Sequence, residues 1–393
     1  MRMLIESIAI LGVLYSVLFA VGCSAVESSP GIETDTDNDA DTDTDSATNT
    51  NSDTDIDTDT DTDTDTNTDT DTDTNTDNDT DNDIDTDIDT DIDTDTDTDT
   101  DTDSNPRRIV AIGDLHGDMT ATRAALMLAG AIDNTDAWIG GDLIVVQVGD
   151  QLDRGDEDRD VFDLFDRLAN DAALTGGQVV SLSGNHEVMN VDSWMDYVTA
   201  GGYLAFHDIP GLNLEGSWLE AFPEYERPRR AAFHPGEIYA LRTAKRSIVV
   251  IIGETIFTHG GILPEHVEYG LARINKEVAG WMRGENSPPE GTTASTGPVW
   301  ITQYSSSPGA YDCAVLESVL ESLSLKRMVV GHVVQPGGIS PACDDKVWRV
   351  DTGMAKYYGG TVQVLEIIED QVNVLNGPAK RIAMPALLES HGP

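Results

Sequence analysis

Between residues 31 and 105 the chain contains no lysine and no arginine; thirty aspartates alternate there with threonine and with scattered Asn, Ile and Ser. A stretch with so little apolar surface cannot offset the entropy of ordering it, and its like charges repel. A core is therefore excluded, and the expectation is an extended, solvated, disordered linker. The glycine-turn ligand loop of an EF-hand is missing as well, so these carboxylates offer calcium only weak binding. Long apolar runs are also absent. The one near the N-terminus covers residues 8–21, too short to span a bilayer comfortably. Basic residues are scarce throughout: the formal net charge is −49, and even after Pro106 there are 39 Asp and Glu against 22 Lys and Arg. Binding to a nucleic-acid backbone needs a basic face and is not expected.

Arg2 followed by the apolar run reads as a secretory signal over residues 1–22. Ala20-Val21-Gly22-Cys23 resembles the lipobox at which bacterial lipoproteins are cut and acylated on the new N-terminal cysteine, with Ala20 where Leu is usual. Two outcomes stand: a lipoprotein-type signal with membrane attachment through Cys23, or a plain signal cut near the same place. Either sends the chain out of the cytoplasm. The first puts it on the periplasmic or extracellular face of the cell envelope, with residues 23–105 as a linker holding the following domain away from the lipid. Cysteine is sparse, three in all. If Cys23 is lipidated, Cys313 and Cys343 remain, either joined by a disulfide in an oxidising compartment or as two buried thiols.

The remaining residues, 106–393, are enough to bury a single sizeable core. Short β-branched apolar runs at residues 109–112, 143–148, 179–182, 248–252, 256–258 and 328–330 predict buried strands, each ending in a polar, glycine-containing segment. Between them, residues 119–128 and 160–173 place apolar residues at helical spacing. This alternation predicts an α/β domain. Residues 361–368 and 371–375 alternate apolar and polar around Glu369-Asp370, which predicts an antiparallel hairpin at a sheet edge.

Five polar clusters stand directly after predicted strands, where an α/β sheet presents its ligand site. They are Gly113-Asp114-Leu115-His116-Gly117-Asp118, Gly149-Asp150-Gln151-Leu152-Asp153-Arg154-Gly155, Gly184-Asn185-His186-Glu187, Thr258-His259-Gly260-Gly261 and Gly331-His332. Asp114 and His116 lie two apart on an extended segment, so they point the same way and can hold one metal ion together. A mixed carboxylate, imidazole and amide set suits manganese, iron, zinc or cobalt better than calcium. A second ion needs a shared ligand, for which Asp150 after the central strand is the candidate. Two close cations clamp a phosphoryl oxygen and acidify a bridging water for in-line attack.

In this order the clusters resemble the phosphoprotein phosphatase branch of the calcineurin-like metallophosphoesterases, over about residues 109–334. Met189-Asn190 and Val350-Asp351-Thr352-Gly353-Met354 further resemble the bacterial-type Shewanella-like phosphatases. The resemblance implies a four-layer αββα sandwich with active-site loops at one rim, and two divalent metal ions, manganese, iron or zinc. It implies that Asp114 and His116 hold the first ion, that Asp150 bridges, and that Asn185, His259 and His332 hold the second. Arg154, with Asn185, would grip the substrate phosphate. His186, oriented by Asp153, would donate a proton to the leaving alcohol, a role open to imidazolium because its pKa lies near working pH. The nucleophile would be a metal-bridging hydroxide, with no phosphoenzyme intermediate.

The implied substrate is phosphoprotein, on Ser, Thr or Tyr. The same chemistry would serve an exported nucleotide or small-molecule phosphoesterase. A reading of another class is a catalytically weak surface-binding lipoprotein that works through its acidic segment. One departure bears on this choice. Family members often carry an arginine two positions after the Trp of the segment that here reads Gly297-Pro298-Val299-Trp300, and this chain has Thr302 there. The missing guanidinium removes a bidentate phosphate donor, for which Arg283 is a candidate stand-in.

His207, His234, His266 and His391 show no partnering spacing and read as surface or packing residues. Trp194, Trp218, Trp281 and Trp348 read as core or half-buried wall, with a substrate groove as the alternative. Residues 192–230, rich in Gly, Pro and aromatics, lie between the third and fourth clusters, the natural place for a substrate-specificity insert.

Overall fold

The structure is a computed structural model that describes residues 107–292 and 294–377. The expected signal, the linker with Cys23, and His391 lie outside the described residues. In chain order the strands are β1 (Ile109–Ile112), β2 (Ile144–Gln147), β3 (Gln178–Ser181), β4 (Val249–Ile252), β5 (Thr255–Thr258), β6 (Arg327–Val330), β7 (Ser340–Ala342), β8 (Val347–Arg349), β9 (Gln363–Ile368) and β10 (Gln371–Asn376). The helices are α1 (Met119–Ala129), α2 (Asp158–Ala173), α3 (Asn185–Val191), α4 (Ala200–Leu204), α5 (Arg227–Phe233), α6 (Ile238–Thr243), α7 (Pro264–Tyr269), α8 (Leu271–Met282) and α9 (Ala310–Ser322).

Two mixed five-stranded sheets result, ordered β10-β9-β1-β2-β3 and β4-β5-β6-β8-β7. β1, β2 and β3 run parallel, as do β5, β6 and β8, and the expected β9–β10 hairpin closes one edge of the first sheet. Pleating sends alternate residues to opposite faces, and all four residues of β1 are buried because both faces are covered. Ile109 and Ala111 pack with Phe257, Val329 and Trp348 between the sheets. Val110 and Ile112 pack outward with Leu126 of α1 and with Phe165 and Leu168 of α2. On the far side, Met328 and Val330 meet Leu316, Val319 and Leu320 of α9. The layers are therefore helix, sheet, sheet, helix, as the resemblance implied.

Asp118 caps α1 by accepting from the Ala121 backbone N–H at 2.9 Å, and Gly130 ends the helix at φ 72°. Residues 192–230, the expected place for a substrate-specificity insert, also pack the domain. With α3, α6 and α8 they build a separate core, in which Phe206 and Phe233 pack with Tyr239 and Trp281. Trp281 and Trp348 are thus core residues. Cys313 of α9 and Cys343, just after β7, form a disulfide with an S–S distance of 1.98 Å across 30 residues of chain. By loop-closure entropy such a link stabilises the fold by about 3–4 kcal/mol. Among the described residues, no helix is long and apolar enough to cross a membrane.

Candidate functional site

The five clusters follow β1, β2, β3, β5 and β6, so the parallel strands deliver all of them to one rim. The turns are tight. His116, Asp150, Asp153, Arg154 and His332 all adopt left-handed backbone, with φ between 45° and 71°, a conformation non-glycine residues hold only where the surroundings enforce it. Gly149, at φ 103°, approaches the third cluster so closely that a Cβ there would lie 2.5 Å from the Gly184 nitrogen. Glu187 ties the two clusters together. Buried at the start of α3, its carboxylate accepts from the backbone N–H groups of Gly184 at 2.7 Å, Asp150 at 2.8 Å and Gln151 at 2.9 Å.

This frame points Asp150 at three imidazoles. Its Oδ2 lies 3.2 Å from His259 Nε2, 3.8 Å from His186 Nε2 and 3.9 Å from His116 Nε2. In two trios the ligand atoms lie within 4.8 Å of one another, close enough that each could hold a metal ion: His116 with Asp150 and His186, and Asp150 with His259 and His332. Asp150 belongs to both. Asn185 places Oδ1 2.9 Å from His259 Nε2, and Asp114 places Oδ2 3.9 Å from His116 Nε2. The structure therefore brings all six residues expected to bind metal to one place, although His186, not Asp114, completes the tighter first trio.

The donor set fits metal ions. His116 and His259 are held through Nδ1, each 3.0 Å from a backbone carbonyl, those of Leu152 and Val148, and His332 bonds the Trp300 carbonyl. In His116 and His259 these bonds put a proton on Nδ1 and turn Nε2 toward the cluster, the orientation ligand histidines require. Carboxylates, imidazoles and one amide oxygen form a set that suits borderline divalent ions.

Charge in the buried cluster is strongly coupled. Burial and the neighbouring Asp351 push Asp114 well above the usual carboxylate range. Burial also opposes ionisation of Asp150, but His259 and His186 overcome it and hold this carboxyl well below its usual range.

His186 donates from Nδ1 to Asp153 Oδ2 at 2.7 Å, the pairing the family resemblance implies. Arg154 Nη2 lies 3.2 Å from His186 Nε2, and its guanidinium sits against the rings of Tyr197, Tyr358 and Tyr357 at 4.8, 5.3 and 5.5 Å. These tyrosines went unread in the sequence because they come from the 192–230 segment and from the turn after β8. Buried Arg229 was also unread; it donates to Asp153 Oδ1 at 2.9 Å. A cavity of about 650 Å³ opens beside His116, Arg154, Thr199, Lys356 and Tyr357.

Other candidates are not brought to the site. Arg283 pairs with Glu285 in an exposed ion pair, so it does not replace the arginine absent at Thr302. His207, His234 and His266 bond backbone carbonyls of Tyr225, Pro235 and Thr296. Trp194 does reach the rim, stacked 5.9 Å from Trp300, while Trp218 packs on His234.

Residues 107–336 match the calcineurin-like phosphoesterase family. The chain is 38% identical over 298 residues to Shewanella-like protein phosphatase 2 of Arabidopsis thaliana, covering 67% of this chain and 76% of that protein. It is 26% identical to Shewanella-like protein phosphatase 1 of Plasmodium berghei, over 64% of this chain and 68% of the relative. Its fold resembles that of the cold-active protein-tyrosine phosphatase of a psychrophilic Shewanella species, with a TM-score of 0.56 and 22% identity over 69% of this chain and 81% of that one.

Proposed function

This chain belongs to the calcineurin-like phosphoesterase family, and we propose from that premise that it is a metal-dependent phosphomonoesterase acting on phosphorylated protein, at Ser, Thr or Tyr. The observation that carries this reading is the position of Asp150, whose one carboxylate belongs to both donor trios. Asp114 and His116 would hold one divalent ion, Asn185, His259 and His332 a second, and Asp150 both; bound there, such ions polarise phosphoryl oxygens and supply a water acidic enough to attack near neutral pH.

The chain's own residues do the rest. Arg154, with Asn185, would bind the substrate phosphate, its guanidinium offering a fork to two oxygens, and its Nε has no hydrogen-bond partner among the described residues. The Tyr197, Tyr357 and Tyr358 rings restrict its rotamers, which lowers the entropy lost on binding. Asp153 holds the Nδ1 proton of His186, so Nε2, the ring atom facing Arg154, is the one left to carry a proton to the leaving oxygen.

The named activity of the Arabidopsis relative supports a protein substrate. The exposed rings of Trp194, Tyr197 and Tyr357 at the rim favour a flat leaving group such as a tyrosyl side chain. A nucleobase would stack on the same rings, which makes a nucleotide the second reading. Phosphate release from phosphotyrosine, phosphoserine and phosphothreonine peptides is to be compared with release from AMP and a dinucleoside polyphosphate, using the full chain with manganese. The account expects a kcat/KM for the best phosphopeptide at least about tenfold above the nucleotides; the reverse order would replace the protein substrate with a nucleotide.

A further inference from the structure

Arg229 is the largest fully buried side chain among the described residues, and no substrate can touch it. It stands on α5, in a segment that packs on the site from outside the two sheets. Its guanidinium is almost fully committed. Nη2 donates to Asp153 Oδ1 at 2.9 Å, Nε to Asn190 Oδ1 at 2.9 Å, and Nη1 to the Gly202 carbonyl at 2.9 Å and to Asp158 Oδ2 at 2.5 Å. The rings of Phe206 and Phe233 lie 4.8 and 5.5 Å from its central carbon. Asn190 in turn donates to the same Asp153 Oδ1 at 3.0 Å and to the His186 carbonyl at 2.9 Å.

Asp153 is therefore held from both ends. Two donors fix Oδ1, and Oδ2 is left for the Nδ1 proton of His186. A carboxylate able to turn about its own axis would let the imidazole follow it; one clamped by a guanidinium and an amide cannot. Burying a guanidinium between two carboxylates is costly unless each charge meets its partners, and here the geometry spends Arg229 on the atom opposite the histidine.

We infer that Arg229 is a positioning residue for phosphoester cleavage, fixing through Asp153 the plane in which His186 presents Nε2 to the leaving oxygen. This rests on the reading of His186 as the proton donor. In that step a water oxygen forms the new bond to phosphorus and gives its proton to solvent. The P–O bond to the leaving group breaks with its electron pair on that oxygen, which takes the proton from Nε2.

Leaving-group dependence separates positioning from mere support of the fold. The p-nitrophenolate ion leaves with little need of a proton, whereas phenolate needs one. In the full chain with manganese, Arg229→Met is expected to lower kcat for phenyl phosphate roughly 10–100-fold, a part of what a general acid supplies, and to lower kcat for p-nitrophenyl phosphate far less. Arg229→Lys, which keeps a donor toward Asp153, should recover part of the difference. Should Arg229→Met fail to fold, Arg229→Met combined with Asp158→Asn removes the carboxylate left without its partner, and the same ratio is read there.

His186→Ala is measured alongside. If it leaves the ratio of the two substrates unchanged, the proton-donor reading itself fails. If His186→Ala shifts the ratio while the Arg229 variants lose both substrates equally, Arg229 only supports the fold and the inference is overturned.

Discussion

His259 shows how the buried charges of the site prepare it for an ion. Burial alone would lower its pKa, but the carboxylates of Asp150 and Asp114 overcome this and hold it at about 10, so without an ion the ring carries a proton at neutral pH. His116 and His332 are the opposite case. Burial and the adjacent imidazoles of His186 and His259 press them to about 3 and about 4, which leaves both neutral and ready to ligate. An entering ion therefore displaces a proton from His259, and affinity for it rises with pH below that pKa. Calorimetric titration of the metal-stripped chain with manganese at pH 7, in two buffers of different ionisation heat, should show at least about one proton released per ion pair bound. Heats that do not depend on the buffer would contradict this.

At this scale the candidate metal ligands were legible because glycine-flanked Asp, Asn and His after apolar strands have few other uses. Arg229 and the three tyrosines were not. An arginine in a run of arginines, or a tyrosine in a polar turn, acquires a role only from what tertiary packing sets beside it.

Among the elements, the join between α3 and the loop after β2 governs the site. Glu187 accepts from four backbone N–H groups of two chain segments, those of Gly184, Asp150, Gln151 and Leu152, and these hold Asp150 in its left-handed conformation. Glu187→Gln keeps the shape but turns an NH₂ group toward donors and removes the charge that strengthens the bonds. We expect a loss of about 3 kcal/mol, read as a lower midpoint in urea unfolding. An unchanged midpoint would mean the loop holds itself.

The longer strands and the two helices on the first sheet were legible from their periods. β7 and β8 were not, since three residues carry no period, and Pro341 in β7 argues against a strand except at a sheet edge, where it lies. The helices α3 to α7, five to seven residues each, are too short to show a helical stripe; α3 to α6 exist because the core around Phe206 and Phe233 packs them, and α7 leans through Val267 on the core under α9.

At the scale of the molecule, the site forms only where the two sheets meet. Loops of the first sheet bring Asp114, His116, Asp150 and Asn185, and loops of the second bring His259 and His332. The order of the clusters along the chain was legible, but not the alignment of the two sheets, which depends on the shared core of Ala111, Val146, Phe257 and Val329. Asp150 belongs to both donor trios, one completed by loops of the first sheet and the other by loops of the second, and the proposed function depends on it.

The most direct measurement is p-nitrophenyl phosphate hydrolysis by the chain after metal stripping and after resupply of manganese, beside Asp150→Asn. Activity is expected to be lost on stripping, restored by manganese, and lowered about a thousandfold or more in folded Asp150→Asn. Activity that survives stripping, or that Asp150→Asn leaves intact, would contradict the proposed function.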